Sequence, residues 1–430
     1  MWNIRAMGLL VLLQSATALK AATIDVPDDF ETVLAGLDAA ATGDTVRVGP
    51  GLWQAQESRV VPWNGGSQLL RSNGYLKPGV TLIGAGSDLT VIEALPEEPM
   101  MLHGILTLAS SGAGVRVEGV TLRGSGFLFN GIMASASLSF ELVDCAVEHC
   151  MFGVTSSFTN LIVRGCTFRD NDASEAGGDP SGIYSTYGTW RIEDTLFVGN
   201  RNGVLFNSAG EIALTFIQRC RFQDNSGGSL VLLRSQDPLV IEDCWFEGNE
   251  VINSAIHLSG CDGQVRRNVF YDNVGPAFYT IGSTSEFVEN TLWMNTVNPA
   301  GSSYSGAYLV ADVGIPVVFA RNVIAGCRGG PAVRVYGGYI GYHVDSSCNL
   351  FFDNDLPQFR DYIVAPTDVF ADPLFCNPSL GDFTVAKNSP CVVDLPLGCG
   401  PIGAFGVGCE AVSVEPTSWG KIKGLYRTEE

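Results

Sequence analysis

The sequence has little charge and no basic segment. Only 16% of its 430 residues are charged, and the formal net charge is −20 without any run of Lys or Arg. Binding of nucleic acid or of an anionic membrane surface needs a basic patch, so neither is an expected partner. Hydrophobic residues make up 46% of the chain, which excludes a disordered protein and provides for a large core.

Long apolar runs are also absent. The apolar stretch near the N-terminus is shorter than the roughly 20 residues that a membrane span needs. It follows Arg5 and ends at Ala16-Thr17-Ala18, which is the pattern of a signal peptide. We therefore predict a signal peptide at residues 1–18 and a protein that is secreted or placed at the bacterial cell surface. Twelve cysteines fit such an oxidising compartment.

The chain is rich in glycine, with 51 residues, and it repeats itself. The segment Leu239–Asn249 (LVIEDCWFEGN) resembles Leu161–Asn171 (LIVRGCTFRDN). The sixth residue of this unit, here named the anchor, recurs about every 25 residues, a spacing typical of solenoids. The anchors are Val120, Cys145, Cys166, Thr195, Cys220, Cys244, Asn268, Asn290, Asn322 and Asn349.

Within each repeat, apolar and polar residues alternate with a period of two, as in Val240-Ile241-Glu242. This alternation predicts strands with one buried face. A further short strand follows in most repeats, for example Ala255–Leu258. Two or three short strands in about 25 residues predict one coil of a β-helix, since a propeller blade needs four strands and about 40 residues.

An asparagine stands five residues after the anchor in most repeats. Asn tolerates the left-handed backbone of a sharp corner, and stacked Asn side chains can form hydrogen bonds from coil to coil. We therefore interpret this column as structural. Its members are Asn171, Asn200, Asn225, Asn249, Asn273, Asn295 and Asn354, with Cys150 and Cys327 at that place in two other repeats.

Two N-terminal segments, residues 30–51 and 79–93, complete a family resemblance. With the repeats they resemble the right-handed parallel β-helix superfamily, the pectin-lyase-like fold, and its bacterial secreted members, over residues 23–410. The resemblance implies an all-β right-handed parallel β-helix solenoid of about ten to thirteen coils with an N-terminal capping helix at residues 28–41. Apolar residues on one face favour the same helix, and a strand should follow at Thr45–Val48.

Cysteines divide into two groups. Cys376, Cys391, Cys399 and Cys409 lie in a Gly- and Pro-rich end, residues 371–410, and predict two disulfides of open connectivity that close the far end of the solenoid. The anchor cysteines favour packed thiols over disulfides, because their side chains should run parallel. No metal site is indicated. The tail, residues 411–430, is either a short anchoring helix or a disordered end.

The resemblance implies that one outward strand face contacts a polymer. The outward residues after each Asn corner are predicted to be Met133, Thr155, Tyr184, Leu205, Val231, His257, Tyr279, Tyr308 and Arg334. Tyr184, His257, Tyr279, Tyr308 and Arg334 are the candidate substrate-binding residues, since tyrosine rings stack on sugars and Arg and His donate hydrogen bonds. The alternative is an ordinary ladder of residues that favour strands.

No carboxylate lies in this column, although glycoside hydrolysis needs two. The first hypothesis is therefore a protein that contacts extracellular or cell-wall polysaccharide, with catalytic residues unknown and no cofactor. A second is a lyase or glycoside hydrolase acting on a uronic-acid-containing polymer, with Ca²⁺ if it is a lyase. Its acids would come from residues 290–322 or from residues 170–181, which hold Asp172, Glu175 and Asp179. A third is a structural envelope component.

Overall fold

A computed structural model gives the architecture of the chain. It describes residues 21–412 except 64–65, 96–101, 109–111, 126–128, 136–138, 175–180, 209–213, 235–237, 302, 312–315, 337–343, 394 and 397. The predicted signal peptide and nearly all of the predicted tail lie outside the described residues. No helix in the described part of the chain is long and apolar enough to cross a membrane.

Three long sheets run side by side through the described chain, each taking one strand from each coil. Sheet A begins each coil, and its strands pair in parallel, as Leu239 does with Gly263 of the next coil. Its strands are Thr23–Val26, Thr45–Val48, Thr81–Gly84, Val115–Glu118, Ser139–Val143, Asn160–Arg164, Trp190–Glu193, Thr215–Gln218, Leu239–Glu242, Gly263–Arg266, Ser285–Val288, Val317–Ala320 and Val344–Ser347.

Sheet B follows after a two-residue corner in most coils. Its central inward residues form a stack of phenylalanines, with ring centroids 5.0 Å apart for Phe168 and Phe197 and 4.6 Å apart for Phe222 and Phe246. The strands are Gly51–Trp53, Thr90–Glu93, Thr121–Arg123, Ala146–Glu148, Thr167–Arg169, Leu196–Val198, Arg221–Gln223, Trp245–Glu247, Val269–Tyr271, Thr291–Trp293, Val323–Ala325, Leu350–Phe352 and Val369–Phe370.

Sheet C completes each coil and is parallel except for one N-terminal hairpin, in which Glu57–Trp63 pairs antiparallel with Gly66–Ser72. The short strand Gly74–Tyr75 pairs beside the main path. The other strands are Leu102–Leu108, Phe129–Ser135, Phe152–Ser157, Ile183–Thr186, Leu205–Ser208, Ser226–Arg234, Glu250–Ser259, Phe278–Ile281, Ala307–Val310, Val333–Tyr336 and Phe359–Arg360. With 13, 13 and 14 strands in the three described sheets, the coils slightly outnumber the prediction.

The asparagine column is structural, as expected, but its members do not take the left-handed conformation themselves. The residue before each Asn does so, for example Gly248 with φ of 62° before Asn249. The Asn249 side-chain amide donates to Asn273 Oδ1 of the next coil at 2.9 Å and to the Phe222 carbonyl at 2.9 Å. Each Asn therefore satisfies buried polar groups of two neighbouring coils, which fixes the corner between sheets B and C.

The anchors lie at the other corner, between sheets A and B. Asn268, Asn290, Asn322 and Asn349 form a second ladder there, with side-chain amide-to-carbonyl distances of 3.0–3.1 Å. Cys145, Cys166, Cys220 and Cys244 are buried free thiols in this column, so the packed-thiol interpretation is confirmed.

A seven-residue helix, Val33–Ala39, covers the N-terminal coil inside the predicted span of 28–41. The Thr32 side chain accepts a hydrogen bond from the Ala35 backbone N–H at 3.1 Å and so caps the helix. Val33 and Leu37 are buried against the first coils, and the strand Thr45–Val48 follows as predicted.

The cysteine-rich end carries two disulfides, as predicted, but only one of them lies within the four predicted cysteines. Cys376 pairs with Cys409, and Cys399 pairs with Cys348 of a sheet corner. Cys391 is instead a buried thiol, whose pKa burial raises to about 12. The prediction failed for Cys391 because Cys348 is distant in sequence and approaches only when the chain end folds back.

We expected the cysteine-rich segment to close the C-terminal end of the solenoid, and the structure shows that it does not. Its strands Phe375–Asn377, Asp382–Ala386 and Val407–Cys409 and the 3-10 turn Pro378–Leu380 lie on the outer face of sheet B. The last coil is instead covered by aromatic side chains of the preceding segment, where Phe359, Tyr362 and Phe370 pack on Phe351.

Candidate binding face

The outer face of sheet A carries a network of ion pairs. Arg164 and Arg191 both bind the Glu193 carboxylate, at 3.1 and 2.9 Å, and Arg266 binds Glu242 at 2.6 Å. These charges satisfy one another in neighbouring coils. Most of the charged groups on this face are therefore already paired within the protein.

The outer face of sheet B is covered over its later coils. Trp245 and Tyr271 pack against Phe383, with ring centroids 5.8 and 5.4 Å apart, and Trp293 packs against Phe375 at 5.3 Å. The Gly403 N–H donates to the Arg321 carbonyl at 2.8 Å. The cysteine-rich end thus converts the outward side of this sheet into a second hydrophobic core.

The outer face of sheet C differs from both. At its N-terminal end, Val61 and Leu70 of the hairpin pack with Met133, which is buried. From the next coil onward, one outward residue per strand continues in unbroken register and is half-buried. This row, here named the ladder, consists of Thr155, Tyr184, Phe206, Leu232, His257, Tyr279, Tyr308 and Arg334.

All five candidate residues therefore occupy one row, but two other members of the predicted column were wrong. Leu205 and Val231 point inward and are fully buried, and the ladder passes through Phe206 and Leu232. Since side chains alternate along a strand, a shift of one residue exchanges the two faces. Arg234 could have revealed the parity of its strand, because a charged side chain two residues after Leu232 must also point outward.

Ring contacts connect the ladder from coil to coil. Tyr184 stacks on Phe206 with centroids 5.0 Å apart, and Tyr279 lies 4.5 Å from His257 and 5.2 Å from Tyr308. One face of the Tyr184 ring is therefore already in contact with Phe206. A ligand on this row would meet ring edges and polar tips as well as open faces.

His257 is neutral at ordinary pH. Burial, together with the nearby positive charge of Arg234, lowers the pKa of the imidazole to about 4. A neutral imidazole offers one hydrogen-bond donor and one acceptor. With its pKa far below neutral pH, this imidazole is also a poor general base, because a general base works best when its pKa is near the working pH.

The C-terminal part of the ladder, together with Tyr304 from the connection before the strand Ala307–Val310, forms a cluster of three tyrosines and one arginine. The Arg334 guanidinium lies 4.9 Å from the centre of the Tyr308 ring, a cation–π contact. Arg334 Nε is buried and has no hydrogen-bond partner among the described residues. Burial raises the pKa of the phenol of Tyr279 and that of Tyr304, whose ring packs on Tyr308 at 4.6 Å.

Tyr304 was missed by sequence analysis because it lies in the connection before the strand Ala307–Val310, outside any repeat position. A second outward row, two residues further along each strand, was also missed. It holds hydroxyl and arginine side chains in its first part and apolar ones later. Its members are Ser157, Thr186, Ser208, Arg234, Ser259, Ile281, Val310 and Tyr336.

The loops predicted to supply acids are only partly described. Asp172 accepts hydrogen bonds from Ser174 and lies 3.6 Å from Arg201, an arrangement of the B–C corner. Glu175 and Asp179 lie outside the described residues. Among the residues that the structure does describe, no group of three His, Cys, Asp or Glu side chains could hold a metal ion.

Comparisons with known proteins concern the fold. The family model "Right handed beta helix region" matches residues 202–356. The A-module of the Azotobacter vinelandii mannuronan C-5 epimerase AlgE4 is 15% identical, with a TM-score of 0.40, over 77% of this chain and 91% of that one. The pectate lyase Pel9A is 13% identical, with a TM-score of 0.44, over 87% and 90% of the two chains.

A PL6-family polysaccharide lyase from Pseudopedobacter saltans is 14% identical, with a TM-score of 0.41, over 80% of this chain and 97% of that one. No curated protein matches by sequence. The matched region shares its three sheets with the coils on both sides of it. The described chain is a parallel β-helix solenoid, and residues 202–356 within it match the right-handed β-helix family model.

Proposed function

We propose that this protein binds polysaccharide along the outer face of sheet C, with Tyr184, His257, Tyr279, Tyr308 and Arg334 as contact residues. The observation that carries the proposal is the ladder, which keeps one register from Thr155 to Arg334 on the face that neither ion pairs nor the chain end occupy. Extended polymers present the same groups repeatedly, and a solenoid face repeats at a fixed spacing of about 4.8 Å.

The chemistry of the ladder supports binding through contacts with sugar rings and hydroxyls. Aromatic side chains give apolar area with little loss of conformational entropy, and tyrosine adds a polar tip. Arg334 and the neutral imidazole of His257 supply hydrogen bonds. The lowered pKa of His257 and the raised pKa of Tyr279 both disfavour a role as a general base near neutral pH.

The polymers chosen for the test follow from the names of similar structures, a mannuronan C-5 epimerase and a pectate lyase. An affinity gel containing mannuronan, polygalacturonate or a neutral β-glucan tests binding, and absorbance near 235 nm with reducing-end release, with and without Ca²⁺, tests cleavage. We expect retardation by at least one polymer, which Tyr279→Ala and Arg334→Ala weaken by about tenfold. Leu380→Ala, an exposed change in the cysteine-rich end, is the matched control.

Two results would contradict the proposal. Equal retardation of the wild type and the ladder variants would place binding elsewhere. Product formation that Tyr279→Ala or His257→Ala abolishes would instead make the face catalytic, as in the alternative of a lyase or hydrolase.

A further inference from the structure

Two exposed aromatic rings lie beside the ladder, at the corner where sheet C turns toward sheet A. Phe158 and Tyr187 are 57% and 51% exposed, and their rings stack with centroids 4.9 Å apart and planes 9° apart. They follow directly after Ser157 and Thr186 of the second outward row. This pair is here named the corner platform.

Both residues of the corner platform have a left-handed backbone. The φ angles are 56° for Phe158 and 57° for Tyr187, a region that bulky side chains avoid because Cβ approaches the backbone. At the same corner of later coils, Gly260 and Gly282 take this conformation with φ angles of 63° and 59°. The fold thus accepts glycine here, and the aromatic rings are not needed to make the turn.

The left-handed backbone itself is common at the corners of this solenoid, for example at Arg219 and Met294. What is unusual here is a pair of exposed, stacked aromatic rings at a corner that glycine can also form, and this points to a role outside folding. Solvent contact of two stacked rings is also unfavourable for solubility. We infer that the corner platform is a further sugar-binding subsite, which extends the polysaccharide site from sheet C around the corner; this inference rests on the proposed function.

The surroundings of the corner platform fit a sugar. The hydroxyl groups of Ser157 and Thr186, the residues directly before the two rings in sequence, lie 3.1 Å apart, and the Thr189 hydroxyl donates to Asn160 Oδ1 at 2.9 Å. Aromatic carbon bordered by hydroxyl and amide groups matches a pyranose ring, which has C–H faces and an equatorial belt of hydroxyls. The chain between Tyr184 and Tyr187 connects this subsite to the ladder within one coil.

A second protein chain fits less well. A stable interface buries about 1,200–2,000 Å² in total, whereas two aromatic side chains supply about 150–250 Å² each. The apolar area of the corner platform therefore suits one or two sugar units.

The test uses the full chain with both rings replaced, Phe158→Gly together with Tyr187→Gly, and the same panel of mannuronan, polygalacturonate and a neutral β-glucan. We expect the affinity from gel retardation to fall by about five- to tenfold. The melting temperature should stay within about 2 °C of the wild type or rise, because glycine relieves the left-handed backbone. The pair of changes Phe158→Tyr and Tyr187→Phe keeps the rings and should retain binding.

The variant with Phe158→Ala and Tyr187→Ala separates the effect of losing the two rings from the effect of relieving the left-handed backbone. It also lacks both rings but retains the strained conformation, so it should bind as weakly as the glycine variant and melt at a lower temperature. Unchanged retardation of the glycine variant, or a fall of its melting temperature by more than about 5 °C, would overturn the inference. If the wild type itself is not retarded by any polymer, the proposed function fails first, and the subsite fails with it.

Discussion

Two outer faces of this solenoid carry rows of aromatic side chains, and in the part of the chain that the structure describes one is covered while the other is largely open. On sheet B, Trp245, Tyr271 and Trp293 are covered by the cysteine-rich end and pack against its phenylalanines. On sheet C, Tyr279 and Tyr308 contact mainly their own row. The same residue types at the same coil spacing therefore form a core in one place and a candidate binding face in the other.

What distinguishes the two rows is a third part of the chain. Burial against the chain end gives the sheet B row a role in stability. Among the described residues, the outer face of sheet C is covered only locally, by the N-terminal hairpin at Met133 and by Tyr304 at Tyr308, so most of the aromatic area of the row is available to a ligand. Changes on the covered face should mainly affect stability, and changes on the open face should mainly affect binding.

The largest effect is expected at the centre of the covered face. Phe383→Ala removes a fully buried ring that contacts Trp245, Tyr271 and Phe375, and should lower the free energy of unfolding by about 3–5 kcal/mol. Urea denaturation gives this value, and polysaccharide retardation of the folded variant should be unchanged. A loss below about 1 kcal/mol would mean that the chain end is not a core element.

The disulfides should contribute next. Cys376→Ser with Cys409→Ser opens a loop with a sequence separation of 33 residues, and we expect a loss of about 2–4 kcal/mol. Trp293 and Trp245 should then become more exposed, which a red shift of the tryptophan emission would report. An unchanged emission together with a stability loss would show that the strands of this end stay in place without the bridge.

A pH experiment tests whether His257, on the outer face of sheet C, is shielded from water. Because the pKa of His257 is about 4 in the folded protein and ordinarily 6.5, the unfolded state takes up a proton between pH 6.5 and pH 4 while the folded state does not. Folding stability should therefore fall as the pH is lowered through this window, by on the order of 2–3 kcal/mol from this group. His257→Phe should remove that part of the pH dependence of urea unfolding; identical pH profiles would show that the imidazole is hydrated.

The smallest change in stability is expected on the ladder itself. Tyr279→Ala should lower the free energy of unfolding by about 1 kcal/mol, since the ring is half-buried, and weaken polysaccharide binding by about tenfold. Phe383→Ala should therefore change urea denaturation but not polysaccharide retardation, whereas Tyr279→Ala should change mainly the retardation. A stability loss as large as that of Phe383→Ala would remove the difference between the two faces.

Much of the fold could be predicted because its signals are local and repeated. The anchor spacing and the Asn column place every coil between Val120 and Asn349, and the inward or outward direction of Tyr184, His257 and Arg334 followed from strand alternation. The register failed at Leu205 and Val231, where an inward polar residue or a run of apolar residues obscures the period of two.

The cover of sheet B could not be predicted, because it depends on contacts between distant parts of the chain. Trp245 and Trp293 have the same sequence pattern as outward residues of sheet C, and nothing local shows that Phe375 and Phe383 will lie on them. The exchange of Cys391 for Cys348 has the same cause. The corner platform was missed because Phe158 and Tyr187 occupy a position where later coils have glycine.

The hydrogen bonds of the asparagine column at the corner between sheets A and B all run in one direction along the solenoid. Each side-chain amide from Asn268 to Asn322 donates to the oxygen of the following coil, and Asn349 donates to a carboxylate oxygen of Asp368 at 3.3 Å. An amide passes the pattern on because it both accepts and donates, whereas an ionised carboxylate only accepts. Asp368 therefore ends this column of hydrogen bonds, because its carboxylate accepts from Asn349 without passing a hydrogen bond to a further coil.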